Sequence, residues 1–148
     1  MKRWVFGFLL LLLCTGYGLV VKGMDDNITL TLTTDKKVYQ PSQPITMSLE
    51  VLNRTSAPLN VTFVSSKAYD FILSSGEQIV WKWSEGRMYA QSLRTITLSP
   101  GKPLIYQSVF NPATAKKVLA EGSYKLVGVW PTMGKIYTSE PVYIEIRK

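Results

Sequence analysis

The chain has 148 residues, with 17 Lys+Arg against 10 Asp+Glu, no His and one Cys. Without His there is no Ser-His-Asp or Cys-His catalytic set and no His-bound metal. Cys14 lies in the apolar N-terminal run, so the remainder has neither thiol chemistry nor an internal disulfide, and the length allows one domain.

Lys2 and Arg3 precede Trp4-Val5-Phe6-Gly7-Phe8 and five leucines, the layout of a secretory signal, with Gly16-Tyr17-Gly18 as a small-x-small cleavage site. The apolar stretch runs on to Val21, just long enough for an uncleaved anchor. A third reading is lipidation at Cys14. All three divide the chain into residues 1–22, a signal peptide or anchor, and a domain over 23–148. They place that domain outside the cytoplasm, secreted or anchored, with membrane contact only through the N-terminal segment. Loss of Lys2, Arg3 and Lys22 takes three charges from the formal net of +7. The remaining surplus is scattered, which suits an ordinary solvated surface or an anionic partner. No basic run is dense enough for nucleic-acid binding.

From residue 25 onward the apolar residues follow period two. Ile28, Leu30 and Leu32 alternate with threonines, and Ile45, Met47, Leu49 and Val51 with Thr46, Ser48 and Glu50. Leu59, Val61 and Phe63 follow, then Tyr69, Phe71 and Leu73, then Ile79, Trp81 and Trp83. Further strands are predicted over residues 94–98, 104–110, 124–130, 136–138 and 142–146. Ser74-Ser75-Gly76-Glu77 and Thr132-Met133-Gly134-Lys135 read as hairpin turns, and Ser99-Pro100-Gly101-Lys102 as a type II turn. Only residues 113–120 invite a short helix, with Pro112 in its first turn and Gly122 beyond its end. Short strands broken by turns every eight to twelve residues or so predict an all-β, immunoglobulin-like antiparallel sandwich, with a small barrel as the alternative.

Residues for bond chemistry are scarce. Asp70, Glu77 and Glu85 are each explained by turn or strand surroundings, and nothing sets two of them facing each other as glycoside hydrolysis requires. Ser66 and Lys67 are adjacent, so on an extended strand they point to opposite faces. No phosphate-cradling loop or calcium loop is present, and nothing calls for a cofactor or a metal. Asn27, Asn53 and Asn60 each begin an Asn-x-Thr tripeptide, a pattern that Thr-rich strands produce by chance.

The densest segment is 63–91. Trp81 and Trp83 share a strand face, either as core anchors or as an exposed aromatic platform. Beyond them Ser84-Glu85-Gly86-Arg87-Met88-Tyr89 reads as a tight loop. Arg87 and Met88 either enter a partner's cleft or close the sandwich, Met88 plugging it and Arg87 covering an edge.

Here the sequence resembles the intracellular proteinase inhibitor family of the BsuPI type. The likeness starts at Tyr39-Gln40-Pro41-Ser42-Gln43-Pro44-Ile45 and continues through Val51-Leu52-Asn53 and Phe63-Val64-Ser65-Ser66-Lys67-Ala68-Tyr69-Asp70-Phe71. It then takes in Val80-Trp81-Lys82-Trp83-Ser84, Arg87-Met88-Tyr89-Ala90-Gln91, Leu98-Ser99-Pro100-Gly101 and Gly122-Ser123-Tyr124, about residues 38–130 in all. Where the family commonly shows Ser-Gly-Gln, this chain has Ser65-Ser66-Lys67; if that Gly holds a special backbone angle, Ser66 alters the turn.

The resemblance implies an immunoglobulin-like domain, no enzyme activity, and a serine protease as partner, met by non-covalent contact. Its candidate contact residues are Ser66, Lys67, Trp83, Arg87, Met88 and Tyr89. With export, the target would be extracytoplasmic. The alternative is a non-inhibitory extracytoplasmic protein-interaction module of the cell envelope.

Overall fold

The computed structural model describes residues 27–148. Alternation decides the strands: Ile45, Met47, Leu49, Val51 and Asn53 are buried in a single nine-residue strand, and the residues between them stay at least partly exposed. In chain order the strands are β1 (Ile28–Thr34), β2 (Val38–Tyr39), β3 (Ile45–Asn53), β4 (Leu59–Phe63), β5 (Asp70–Ser75) and β6 (Gln78–Lys82). Then come β7 (Arg94–Leu98), β8 (Leu104–Phe110), β9 (Gly122–Thr132), β10 (Lys135–Thr138) and β11 (Val142–Ile146). One sheet has the order β1-β3-β8 and the other β2-β11-β9-β5-β6, with β10 beside β9 and a separate β4-β7 ribbon. Both sheets end in unclosed edges, so the architecture is the predicted sandwich and not the barrel. The predicted hairpins join β5 to β6 and β9 to β10. Lys102 N–H donates to the Ser99 carbonyl (3.3 Å) across the Pro100-Gly101 turn.

Two findings depart from the sequence reading. β2, which pairs in parallel with β11, was not predicted; its two residues are too few for a period, and Tyr39, 1% exposed, anchors it. The helix expected over residues 113–120 does not form. Asn111 starts a turn, its side chain accepting from Ala113 N–H (3.1 Å) and its carbonyl from Ala115 N–H (2.9 Å). Lys116 then enters the left-handed region at φ 52°, which a continuing helix forbids, and Leu119 drops into the core.

The main core gathers Met47, Leu49, Phe71, Leu73, Phe110, Leu126 and Ile144 between the sheets. A second cluster holds Val51, Phe63, Leu98 and Trp130, with Phe63 edge-on to Trp130 at 5.5 Å. Each fully buried large side chain of this kind stabilises by about 1.5–3 kcal/mol. The layers meet closely at Gly128 of β9, where an added Cβ would stand 2.6 Å from Leu49 Cδ1. Asn53 is one of the polar residues buried in the interior. Its Nδ2 donates to the carbonyls of Ala57 (2.8 Å) and Leu98 (2.9 Å), and its Oδ1 accepts from Thr55 N–H (2.9 Å) and Oγ (2.7 Å). Of the three Asn-x-Thr asparagines, Asn27 and Asn60 are exposed, and Asn53 is a buried turn-holding residue with its amide fully engaged.

Among the described residues no helix is long and apolar enough to cross a membrane. The expected signal or anchor over residues 1–22 lies outside the described residues.

Candidate functional site

The β5–β6 hairpin brings Asp70 and Ser84 together. Ile72 pairs with Lys82, so continuing that register sets Asp70, at the start of β5, opposite Ser84, just past the end of β6. Asp70 is buried at 3% exposure, and a buried carboxylate needs donors. It has them: Ser84 N–H (3.0 Å), Ser84 Oγ (2.5 Å), Lys67 Nζ (2.5 Å) and Phe71 N–H (3.0 Å). Asp70 therefore ties residues 65–68 to the loop after β6. These bonds give Asp70 a structural role.

A second tie lies between the same segments. Ser66 N–H donates to the Ala90 carbonyl (2.9 Å), and Ala90 N–H donates to Ser66 Oγ (2.9 Å). Ser66 does not adopt a positive φ, so Ser at this position imposes no left-handed strain. Its hydroxyl supplies half of a clasp that a glycine has no atom to make.

Gly86, at φ 73°, allows the tight turn that follows β6. Arg87 then folds back. Its guanidinium lies 4.1 Å from the Trp83 ring centroid, its Nε donates to the Trp83 carbonyl (2.8 Å), and its N–H donates to the Ser84 carbonyl (3.1 Å). Trp83 in turn lies 4.3 Å from Tyr69, which stacks on Tyr106 at 4.6 Å. Tyr106 accepts from Trp130 Nε1 (3.3 Å). Ring contacts from Trp83 through Tyr69 to Tyr106, closed by this hydrogen bond, thus connect Arg87 at the surface to the buried indole of Trp130. Burial raises the Tyr69 and Tyr106 hydroxyl pKa values above the ordinary range.

Both Trp81 and Trp83 pack against the main core, Trp81 at 4.6 Å from Phe110. The core-anchor reading holds, and one face of Trp83 is covered by Arg87 and not open as a platform. Met88 is 99% exposed, so it plugs nothing. Arg87 covers the Trp83 ring, not a sheet edge. The reason is local: the turn at Gly86 directs Met88 away from the sandwich, and no period continues through it to mark a face. Tyr89 turns inward, with its ring 6.4 Å from Trp83 and 6.0 Å from Lys67 Nζ. Burial raises its pKa first, and the Asp70 charge adds to that.

The six predicted contact residues therefore form one neighbourhood on two stitched segments. Residues 87–90 run without regular secondary structure, held at one end by Arg87 on Trp83 and at the other by Ala90 on Ser66. Sequence reasoning missed Asp70 as the organiser; the register of the β5–β6 hairpin was the available signal. It also missed Lys117, whose Nζ donates to the Val80 carbonyl (3.1 Å) and pairs with Glu85 (3.0 Å). That ion pair lowers the Glu85 pKa below the usual carboxylate range.

The family model described as BsuPI, intracellular proteinase inhibitor, matches residues 32–135. No curated protein matches the sequence. Among solved structures, the sporulation control protein Spo0M of Bacillus subtilis superposes with a TM-score of 0.51 at 11% identity, over 82% of this chain and 50% of that one. A cycloisomaltooligosaccharide glucanotransferase of Paenibacillus gives 0.48 at 18% identity, over 79% of this chain and 13% of its own. A CARDB domain from Pyrococcus furiosus gives 0.46 at 9% identity, over 81% and 87%. This chain thus spans half the length of the Spo0M chain, and at 11% identity the likeness to Spo0M concerns the fold alone. The family description corrects one expectation: it is an intracellular family, which overturns the extracytoplasmic, secreted or anchored placement. That placement rested on the basic start, the apolar run and the small-x-small site of residues 1–22.

Proposed function

The chain belongs to the BsuPI family of intracellular proteinase inhibitors, and from that premise we propose that it inhibits a serine protease by non-covalent contact, occluding the active-site cleft with residues 84–90 backed by residues 65–68. The observation that carries this reading is the segment 87–90, fastened at both ends with Met88 standing out between the fastenings. Proteases take peptides as extended chain. A free loop loses conformational entropy when it is captured, whereas a segment already held loses less, and that difference appears as affinity. The partly buried aromatic stack beneath Arg87 and the Asp70 hub supply the rigidity. A standard interface of about 1,600 Å² in total would cover both segments.

Titration of the purified protein against subtilisin-like serine proteases from the same organism tests the proposal. Stoichiometric inhibition with an isolable complex supports it. Absence of both inhibition and complex at micromolar concentrations removes it.

A further inference from the structure

Resting on that inhibitory reading, we infer that Met88, and not its neighbour Arg87, fills the primary specificity pocket of the target, and that the target's pocket is apolar. The two side chains stand in opposite situations. Arg87 is engaged with its own chain, its guanidinium over Trp83 and its Nε on the Trp83 carbonyl. Entering a protease pocket would strip both contacts and uncover the indole. Met88 is 99% exposed and, among the described residues, makes no hydrogen bond. Nothing in the fold is lost when its side chain is buried elsewhere, and its apolar surface leaves water.

Position agrees with exposure. Met88 lies between the Arg87 and Ala90 anchors, where the backbone is held but the side chain projects. Leu93 is also exposed, at 73%, yet it lies beyond the Ala90 anchor, directly before β7. The chemistry of the partner follows from the thioether. A pocket with a carboxylate at its base would be left with an unpaired buried charge by Met, whereas a hydrophobic slot accepts it. Methionine's unbranched, polarisable chain also adapts to an imperfect slot.

The experiment measures inhibition constants of the full chain, of M88G, M88K and of M133A. Met133 is a control, a half-exposed methionine in the β9–β10 turn. Each protein is titrated against a subtilisin-like protease with an apolar pocket and against trypsin, and urea midpoints verify folding. M88G is expected to weaken inhibition of the first protease by about 30-fold or more, the loss of one hot-spot side chain. M88K loses that protease and gains trypsin, M133A behaves as the wild type, and all midpoints coincide. If M88G and M88K inhibit the first protease within about threefold of wild type, the assignment of Met88 is overturned while inhibition stands. If the wild type neither inhibits nor binds either enzyme, the inhibitory reading falls and the assignment with it.

Discussion

Replacing Asp70 by Ala is the most informative single change. It removes the acceptor for Ser84 N–H (3.0 Å), Ser84 Oγ (2.5 Å) and Lys67 Nζ (2.5 Å) at a site only 3% exposed. Hydrogen bonds to a charged group are worth about 1.5–3 kcal/mol each. The Lys67 side chain keeps 29% of its surface in water and recovers solvation when released, so its share is discounted. The two Ser84 bonds then dominate, and D70A should destabilise by about 3–5 kcal/mol. That loss is large against the total of about 5–15 kcal/mol of a typical domain, but the protein should stay folded. D70N keeps the shape and one acceptor oxygen while setting an amide N–H₂ against other donors, and should cost about 2–3 kcal/mol. The assay is urea unfolding followed by Trp fluorescence, with S84A and the double variant completing a cycle. A coupling of about 1–2 kcal/mol is expected between Asp70 and Ser84, which are in direct contact. Loss of less than about 1 kcal/mol in D70A, or no coupling to Ser84, would refute the hub.

Three further outcomes are expected. G128A should cost about 1–3 kcal/mol by overpacking, since its Cβ meets Leu49 Cδ1 at 2.6 Å; thermal unfolding in an L49A background should show less than half that cost. Burial and the hydrogen bond to Asp35 raise the Tyr39 hydroxyl from 10.0 to about 12. The unfolded chain releases this proton near pH 10 and the folded chain does not. Stability is therefore fully present below pH 10 and falls by about 2–3 kcal/mol as pH rises through about 12, a decline that urea midpoints should show blunted in Y39F. N53A strands buried partners of both the donor and acceptor atoms, and should lower stability by about 2–4 kcal/mol in the same urea assay.

The strands were legible because a half-buried sheet writes its two faces into alternate residues, as β3 does from Ile45 to Asn53. β2 is too short to write anything, and its existence depends on β11 arriving beside it. Residues 113–120 carry helix signals that the descent of Leu119 into the core overrides. At the site, residue types pointed to the right segments but not to the roles within them. Whether Met88 fills the core or faces water depends on where the turn at Gly86 aims the chain, and no local pattern states it. The contact of Asp70 with Ser84 and that of Ser66 with Ala90 span 14 and 24 positions in sequence, so only strand pairing and loop packing bring them together.

The end of the second sheet bears on strand addition at its border. β6 is its outermost strand, and the register skips from Leu73–Trp81 to Ser74–Ile79, leaving Val80 as an extra residue outside the ladder. The Val80 carbonyl is taken by Lys117 Nζ, whose charge is shared with Glu85. A bulge twists a border strand away from flatness, and a lysine laid on it makes an incoming strand desolvate a cation. The border nearest the stitched loops is thereby closed to strand addition by another copy of the chain.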